Sequence, residues 1–145
     1  MTKRYELPCN IAQTLNLIGD KWSMLVIHSL MLGHCTYKEL QEDLVGIPSN
    51  LLASRLKELE ENELVISTIY QNHPPRLKYE LTQKGEELKD VFYALIVWGE
   101  KYLGENCYKQ LVHDECESPL TIQYYCPKCN KIVSEEEKKV IPKQK

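Results

Sequence analysis

The sequence holds no apolar run long enough to cross a bilayer. Its most apolar stretch, Met24 to Leu32, is interrupted by His28 and Ser29 and falls well short of the roughly 20 residues a spanning helix needs. The opening residues, Met1-Thr2-Lys3-Arg4-Tyr5-Glu6, are charged but lead into no hydrophobic segment, so no secretory signal is read there. These absences predict a cytoplasmic protein with no membrane partner. Its six cysteines are then expected to be thiols, metal ligands or redox switches rather than structural disulfides. A glycine-rich phosphate loop, paired catalytic carboxylates and an internal repeat are also missing, and His28 and His34 have no nucleophile in view, so no enzyme is expected. A basic surplus is lacking too, the formal net charge being -3. A nucleic-acid binder with this balance must rely on a few well-placed cations rather than on a diffuse positive field.

What is present is the composition of a globular chain, with 43% hydrophobic and 27% charged residues among 145. That length supports one domain with a core, plus an arm or tail. Ile11, Leu15 and Ile18 fall at helical spacing and predict a short helix over 10–18. Gly19-Asp20 breaks it, and Asp20 can cap a second helix over about 21–32, with Trp22, Leu25, Val26 and Leu30 on one face. Thr36-Tyr37-Lys38-Glu39 is a capping box opening a short helix to Leu44. Val45-Gly46-Ile47-Pro48 makes a turn, and a helix over about 49–62 follows with Leu52, Leu56 and Leu59 inward. Val65 to Tyr70 is a β-branched strand. Gln71-Asn72-His73-Pro74-Pro75 interrupts it, because proline cannot donate to a ladder. Leu77, Tyr79 and Leu81 alternate with Lys78 and Glu80 as a second strand. Thr82 then caps one long helix over about 83–103, whose broad apolar stripe suggests a partner surface.

A short helix, a glycine turn and a second helix make a helix-turn-helix, and the hairpin makes its wing. The fold class is mainly α with a small β-hairpin: a winged helix-turn-helix over residues 1–104, followed by a Cys-rich tail over 105–145 with a frayed end. The helix over 49–62 is narrow enough for a major groove and turns Asn50, Ala53, Ser54 and Lys57 outward. Ser49 can cap it, and Arg55 lies on its flank, within reach of the DNA backbone. Lys38, Arg76 and Lys78 are further candidate phosphate contacts. Glu58, Glu60 and Glu61 would repel phosphate unless they point away from it.

The chain resembles the HxlR-type winged helix regulators of bacteria and archaea. The resemblance covers about residues 5–103. It rests on Cys9, Gly19-Asp20-Lys21-Trp22, Tyr37-Lys38-Glu39-Leu40 and Gly46-Ile47. It continues through Leu52, Arg55-Leu56-Lys57-Glu58-Leu59-Glu60, Leu64-Val65, Pro74-Pro75-Arg76, Tyr79-Glu80-Leu81-Thr82, Gly85 and Trp98-Gly99. It implies a homodimer on palindromic double-stranded DNA, with the long first and last helices at the interface. It also implies that Cys9 can sense oxidants or electrophiles, as the N-terminal cysteine does in some relatives. A thiol at a helix start is favoured as thiolate; the competing reading is a half-buried small hydrophobe. Two departures stand out. The recognition helix opens Pro48-Ser49 where the family has Ser then Pro, and Pro8 precedes Cys9 instead of a Pro following it.

The tail pairs His113-x2-Cys116 with Cys126-x2-Cys129, two knuckles that could offer four tetrahedral ligands to a structural zinc in a small ribbon. No cofactor is otherwise required. Two other functions stay open from the residues. One is a winged-helix and zinc-ribbon adaptor that docks on proteins without an operator of its own. The other is a thiol redox protein using Cys126 and Cys129, although no βαβ setting is visible for it.

Overall fold

The computed structural model describes residues 4–106 and 109–143. They divide into two compact units, Met1–Phe92 and Tyr93–Lys145.

In the first unit, α1 (Asn10–Ile18) is preceded by a segment tied back onto it. Gln13 Nε2 donates to the Leu7 carbonyl at 2.7 Å and Asn16 Nδ2 to the Tyr5 carbonyl at 2.9 Å. Gly19 ends α1, and a Cβ there would lie 2.4 Å from the Leu15 carbonyl oxygen, so only glycine fits. The N-cap of α2 (Ser23–Met31) is Trp22 rather than the expected Asp20, whose carboxylate, in the turn before it, accepts the backbone N–H of Trp22 at 2.9 Å and of Ser23 at 3.1 Å. Val26, Ile27 and Leu30 face the core, whereas Leu25, expected inward, is exposed. The inward arc of α2 is taken by Ser23, Val26, Ile27 and Leu30, which leaves Leu25 on its edge.

The capping box at α3 (Tyr37–Asp43) forms as expected. Glu39 N–H donates to Thr36 Oγ1 at 3.2 Å, and Glu39 Oε2 accepts from the N–H groups of Thr36 and Cys35 at 2.9 and 2.8 Å. Gly46, at φ +93°, takes the turn into α4 (Ser49–Glu61). Pro48, not Ser49, is the N-cap of α4 and supplies no side-chain bond. Ser49 instead joins the two helices, its Oγ accepting from Gln41 Nε2 at 2.6 Å and its carbonyl from the Tyr37 hydroxyl at 2.5 Å. Leu52, Leu56 and Leu59 are buried in one core with Ile18, Ile27, Leu40, Ile47, Leu64, Val65 and Phe92.

Strands β1 (Val65–Asn72) and β2 (Pro75–Leu81) pair antiparallel, with Val65 opposite Leu81 and Asn72 opposite Pro75. The ladder therefore runs further than expected. Pro75 is tolerated because it is the first residue of its strand, and only His73-Pro74 forms the tip. A bridge from Thr36 to Lys78, with Tyr79 N–H donating to the Cys35 carbonyl at 2.7 Å, anchors the wing to the start of α3. Gly85 fixes its other end, because a Cβ there would sit 2.3 Å from the Leu64 carbonyl oxygen.

The expected single helix over 83–103 is two: α5 (Gln83–Glu86) and α6 (Lys89–Leu103). Leu88 N–H bonds to the Gly85 carbonyl, and Val91 N–H to the Leu88 carbonyl, three residues back rather than four. Gly85 pressed on Leu64 and Phe92 buried in the core set the two ends of this break. Helix α6 leaves Leu95, Trp98 and Tyr102 exposed, and the short α1 leaves Ile11 and Leu15 exposed.

In the second unit, the Cys-rich segment carries two turns. Val112 bridges Pro119, and β3 (Tyr124–Cys126) pairs antiparallel with β4 (Lys131–Val133). Among the described residues no helix is long and apolar enough to cross a membrane.

Candidate nucleic-acid interface

Helix α4 is positioned by its three buried leucines, so its opposite face is outward without any polar residue having to specify it. Asn50, Ala53 and Lys57 are exposed on that face. Ser54 is half-buried, its hydroxyl 3.4 Å from Glu58 Oε1. The face is small and polar, as base edges in a major groove require.

Arg55 does not lie on the flank facing solvent. Its side chain is only 15% exposed, with Nη1 2.7 Å from Glu58 Oε2 and 3.6 Å from Asp20 Oδ2. The same Asp20 that precedes α2 thus also reaches α4, through the Arg55 guanidinium. Burial raises the Asp20 pKa, but the Ser23 hydroxyl, the Trp22 and Ser23 N–H groups and the Arg55 charge outweigh it and hold the carboxyl below its ordinary range.

The acids that argued against DNA are each engaged. Glu58 is bound by Arg55. Glu60 Oε1 accepts from Ser67 Oγ at 2.6 Å and Ser67 N–H at 3.1 Å, which ties α4 to β1. Glu61 lies 3.9 Å from Lys57. Nothing in the periodicity could have revealed the Glu60–Ser67 bond, because it crosses between elements.

Lys38 and Arg76, far apart in sequence, meet at one cleft of about 420 Å³ between the start of α3 and the wing, lined also by Tyr37, Tyr70 and Tyr79. Both cations are exposed, and Lys38 makes only a loose 3.8 Å pair with Glu42. Lys78 lies beside them on β2 but is bound to Glu80 at 3.0 Å, which raises its pKa. Of the candidate cations, Lys57, Lys38 and Arg76 are thus the exposed ones without a close carboxylate partner.

Cys9 is exposed at the N-cap of α1. Cys35 is half-buried, and burial, with the adjacent Glu39 carboxylate, pushes its thiol up. In the second unit His113 Nδ1 lies 3.3 Å from Cys116 Sγ, and Cys129 N–H donates to Cys126 Sγ at 3.4 Å. Among the described residues no three such donors meet at one point.

A sequence profile described as HxlR-like helix-turn-helix matches residues 17–107. YodB of Bacillus subtilis, an HTH-type transcriptional regulator, is 39% identical over 87 residues, 60% of this chain and 78% of YodB. The solved structure of PA1607 superposes with a TM-score of 0.77 at 28% identity, over 95% of this chain and 97% of that one. Reduced YodB superposes with a TM-score of 0.57 at 35% identity, over 68% of this chain and 97% of that one. YodB has also been solved after diamide treatment and with quinone bound.

Proposed function

We propose, from the premise that this chain belongs to the HxlR-like helix-turn-helix family, that it acts in the cytoplasm as a homodimer on a two-fold symmetric operator and responds to oxidants or electrophiles through Cys9. The chain is a DNA-binding transcription regulator of winged helix-turn-helix fold. The observation that carries its mode of binding is the division of charge around α4. Glu58 and Glu60 are held by Arg55 and Ser67, while Lys57, paired with Glu61 only at 3.9 Å, stands exposed on the outward face with Asn50 and Ala53. Helix α4 then enters the major groove, and Lys38 and Arg76 at the wing cleft meet the flanking phosphates.

At this face one chain offers Lys57, Lys38 and Arg76, and two copies reading two half-sites double those phosphate contacts. The exposed apolar residues of α1 and of α6 are the surfaces such a pairing would cover. Cys9 lies at the start of α1, so a group added to its sulfur alters a helix on which pairing depends. The relative YodB, solved in reduced, diamide-treated and quinone-bound forms, supports a thiol-based response.

The test is genome-wide mapping of bound sites in cells with and without diamide, for the native chain and Cys9→Ser. The expected result is a set of inverted repeats with half-sites about 10 base pairs apart, centre to centre, or a multiple of that, occupied differently under diamide only when Cys9 is present. Recovery of no enriched sites would sink the operator. An identical diamide response in Cys9→Ser would sink the sensor while leaving the operator standing.

A further inference from the structure

The second unit contains two turns built alike, and the family match, ending at residue 107, does not account for them. In the first, His113 and Cys116 stand three apart, and the next residue, Glu117, adopts φ 55°. His113 N–H donates to the Ser118 carbonyl at 2.9 Å and Glu117 N–H to the His113 carbonyl at 2.8 Å, while Val112 bridges Pro119 across the base. In the second, Cys126 and Cys129 stand three apart, and the next residue, Asn130, adopts φ 54°. Cys126 pairs with Lys131 at the base of that turn.

A left-handed backbone is costly for residues other than glycine, and Asn bears it better than Glu. Its recurrence directly after the second donor of each turn is a shared device that folds the chain back and brings the two donors of each turn onto one side. The distances agree with that purpose. Two ligands of one tetrahedral zinc, with Zn–S near 2.3 Å and Zn–N near 2.0–2.1 Å, lie about 3.5 Å apart. His113 Nδ1 and Cys116 Sγ are 3.3 Å apart. In the second turn, the Cys129 N–H aimed at Cys126 Sγ is the kind of backbone donor that steadies a metal-bound sulfur.

We propose that His113, Cys116, Cys126 and Cys129 hold one structural zinc ion per chain, which draws the two turns of the 93–145 unit together. Each turn supplies two of four ligands, a one-histidine, three-cysteine set that leaves no coordination position open and so suits a structural rather than a catalytic metal. Among the described residues no three of these donors meet at one point, so the proposed ion would have to draw the two pairs together. Binding releases three thiol protons, and His113 ligates through Nδ1 as a neutral ring. The stretch around the turns is poor in core, with Leu120, Ile122, Tyr124 and Tyr125 all exposed. Such a segment gains its order from a cross-link rather than from burial.

The test uses the full chain, expressed in cells supplied with zinc and purified without a histidine tag or chelator. Mass spectrometry under non-denaturing conditions is expected to show one zinc per chain, and cobalt exchanged into the site should give the intense absorption of a tetrahedral thiolate complex. Cys126→Ser and Cys116→Ser should each lower retained zinc at least tenfold after dialysis against a weak chelator, whereas Cys9→Ser and Cys35→Ser should retain a full equivalent. Absence of metal in the native chain, full retention in the Cys126→Ser or Cys116→Ser variant, or recovery of Cys126 and Cys129 as a disulfide with no metal overturns the proposal. Should Cys126→Ser fail to fold, His113→Asn replaces it, and unchanged zinc content in that variant overturns the four-ligand set.

Discussion

Lys57 and Arg55 are near neighbours on α4 with opposite fates. The lysine stands 77% exposed, while the arginine is turned into the protein, where its Nε is buried without a hydrogen-bond partner. Replacing each should therefore fail differently. Lys57→Ala is expected to leave the fold intact, weaken operator binding and reduce the slope of log affinity against log salt by about one per chain. Arg55→Ala leaves Asp20 and Glu58 without their cation, a loss of about 1–2 kcal/mol for one solvent-screened charged hydrogen bond and one 3.6 Å ion pair. Urea denaturation should show that loss, with the salt slope of any residual binding unchanged. If Arg55→Ala altered the slope with stability intact, the arginine would be a phosphate contact after all.

At the scale of the element, α3 is short and depends on its capping box. Thr36→Ala should cost about 1 kcal/mol. Glu39 makes the box sensitive to pH, because the backbone N–H groups of Thr36 and Cys35 hold its carboxyl down to about 2, below the ordinary 4.5. A lowered folded-state pKa means that the unfolded chain binds the proton first as pH falls. This contribution is therefore complete above about pH 4.5 and lost progressively as pH falls through the window down to about 2. Glu39→Gln should flatten that part of the stability profile in denaturant titrations across the window. A profile identical to the native one would show that the carboxylate does not stabilise the box. The start of α3 was legible in the residues because the four that make the cap are consecutive. The start of α4 was not. Ser49 has the chemistry of a cap, yet Gln41 and Tyr37 from the neighbouring helix claim its side chain and carbonyl.

At the scale of the whole molecule, the proposed homodimer would link affinity to assembly. Leu95, Trp98 and Tyr102 on α6 are large, exposed apolar groups, the surface that the proposed pairing would cover. Trp98→Lys is expected to yield a monomer by sedimentation, with operator affinity at least tenfold weaker. A monomer that binds one half-site as tightly as the dimer binds the full site would contradict the reading. The sequence by itself determined what depends on neighbours within a turn or two: the three inward leucines of α4, the Thr36 box, the alternation of the wing, and so the winged helix-turn-helix. Side-chain period and side-chain-to-backbone bonds are local, and they survive any tertiary context that buries the same face. Only the tertiary structure decided which polar groups are free to act. Arg55 is engaged by Asp20 in the turn before α2 and Glu60 by Ser67 in a strand, whereas Lys38 and Arg76 come together across a cleft. It also broke the last helix at Leu88, where Gly85 must press on Leu64. Each of these outcomes turns on a partner distant in the chain, and a charged side chain is long enough to choose among several, so the composition of a helix face does not reveal its charge until its neighbours are in place.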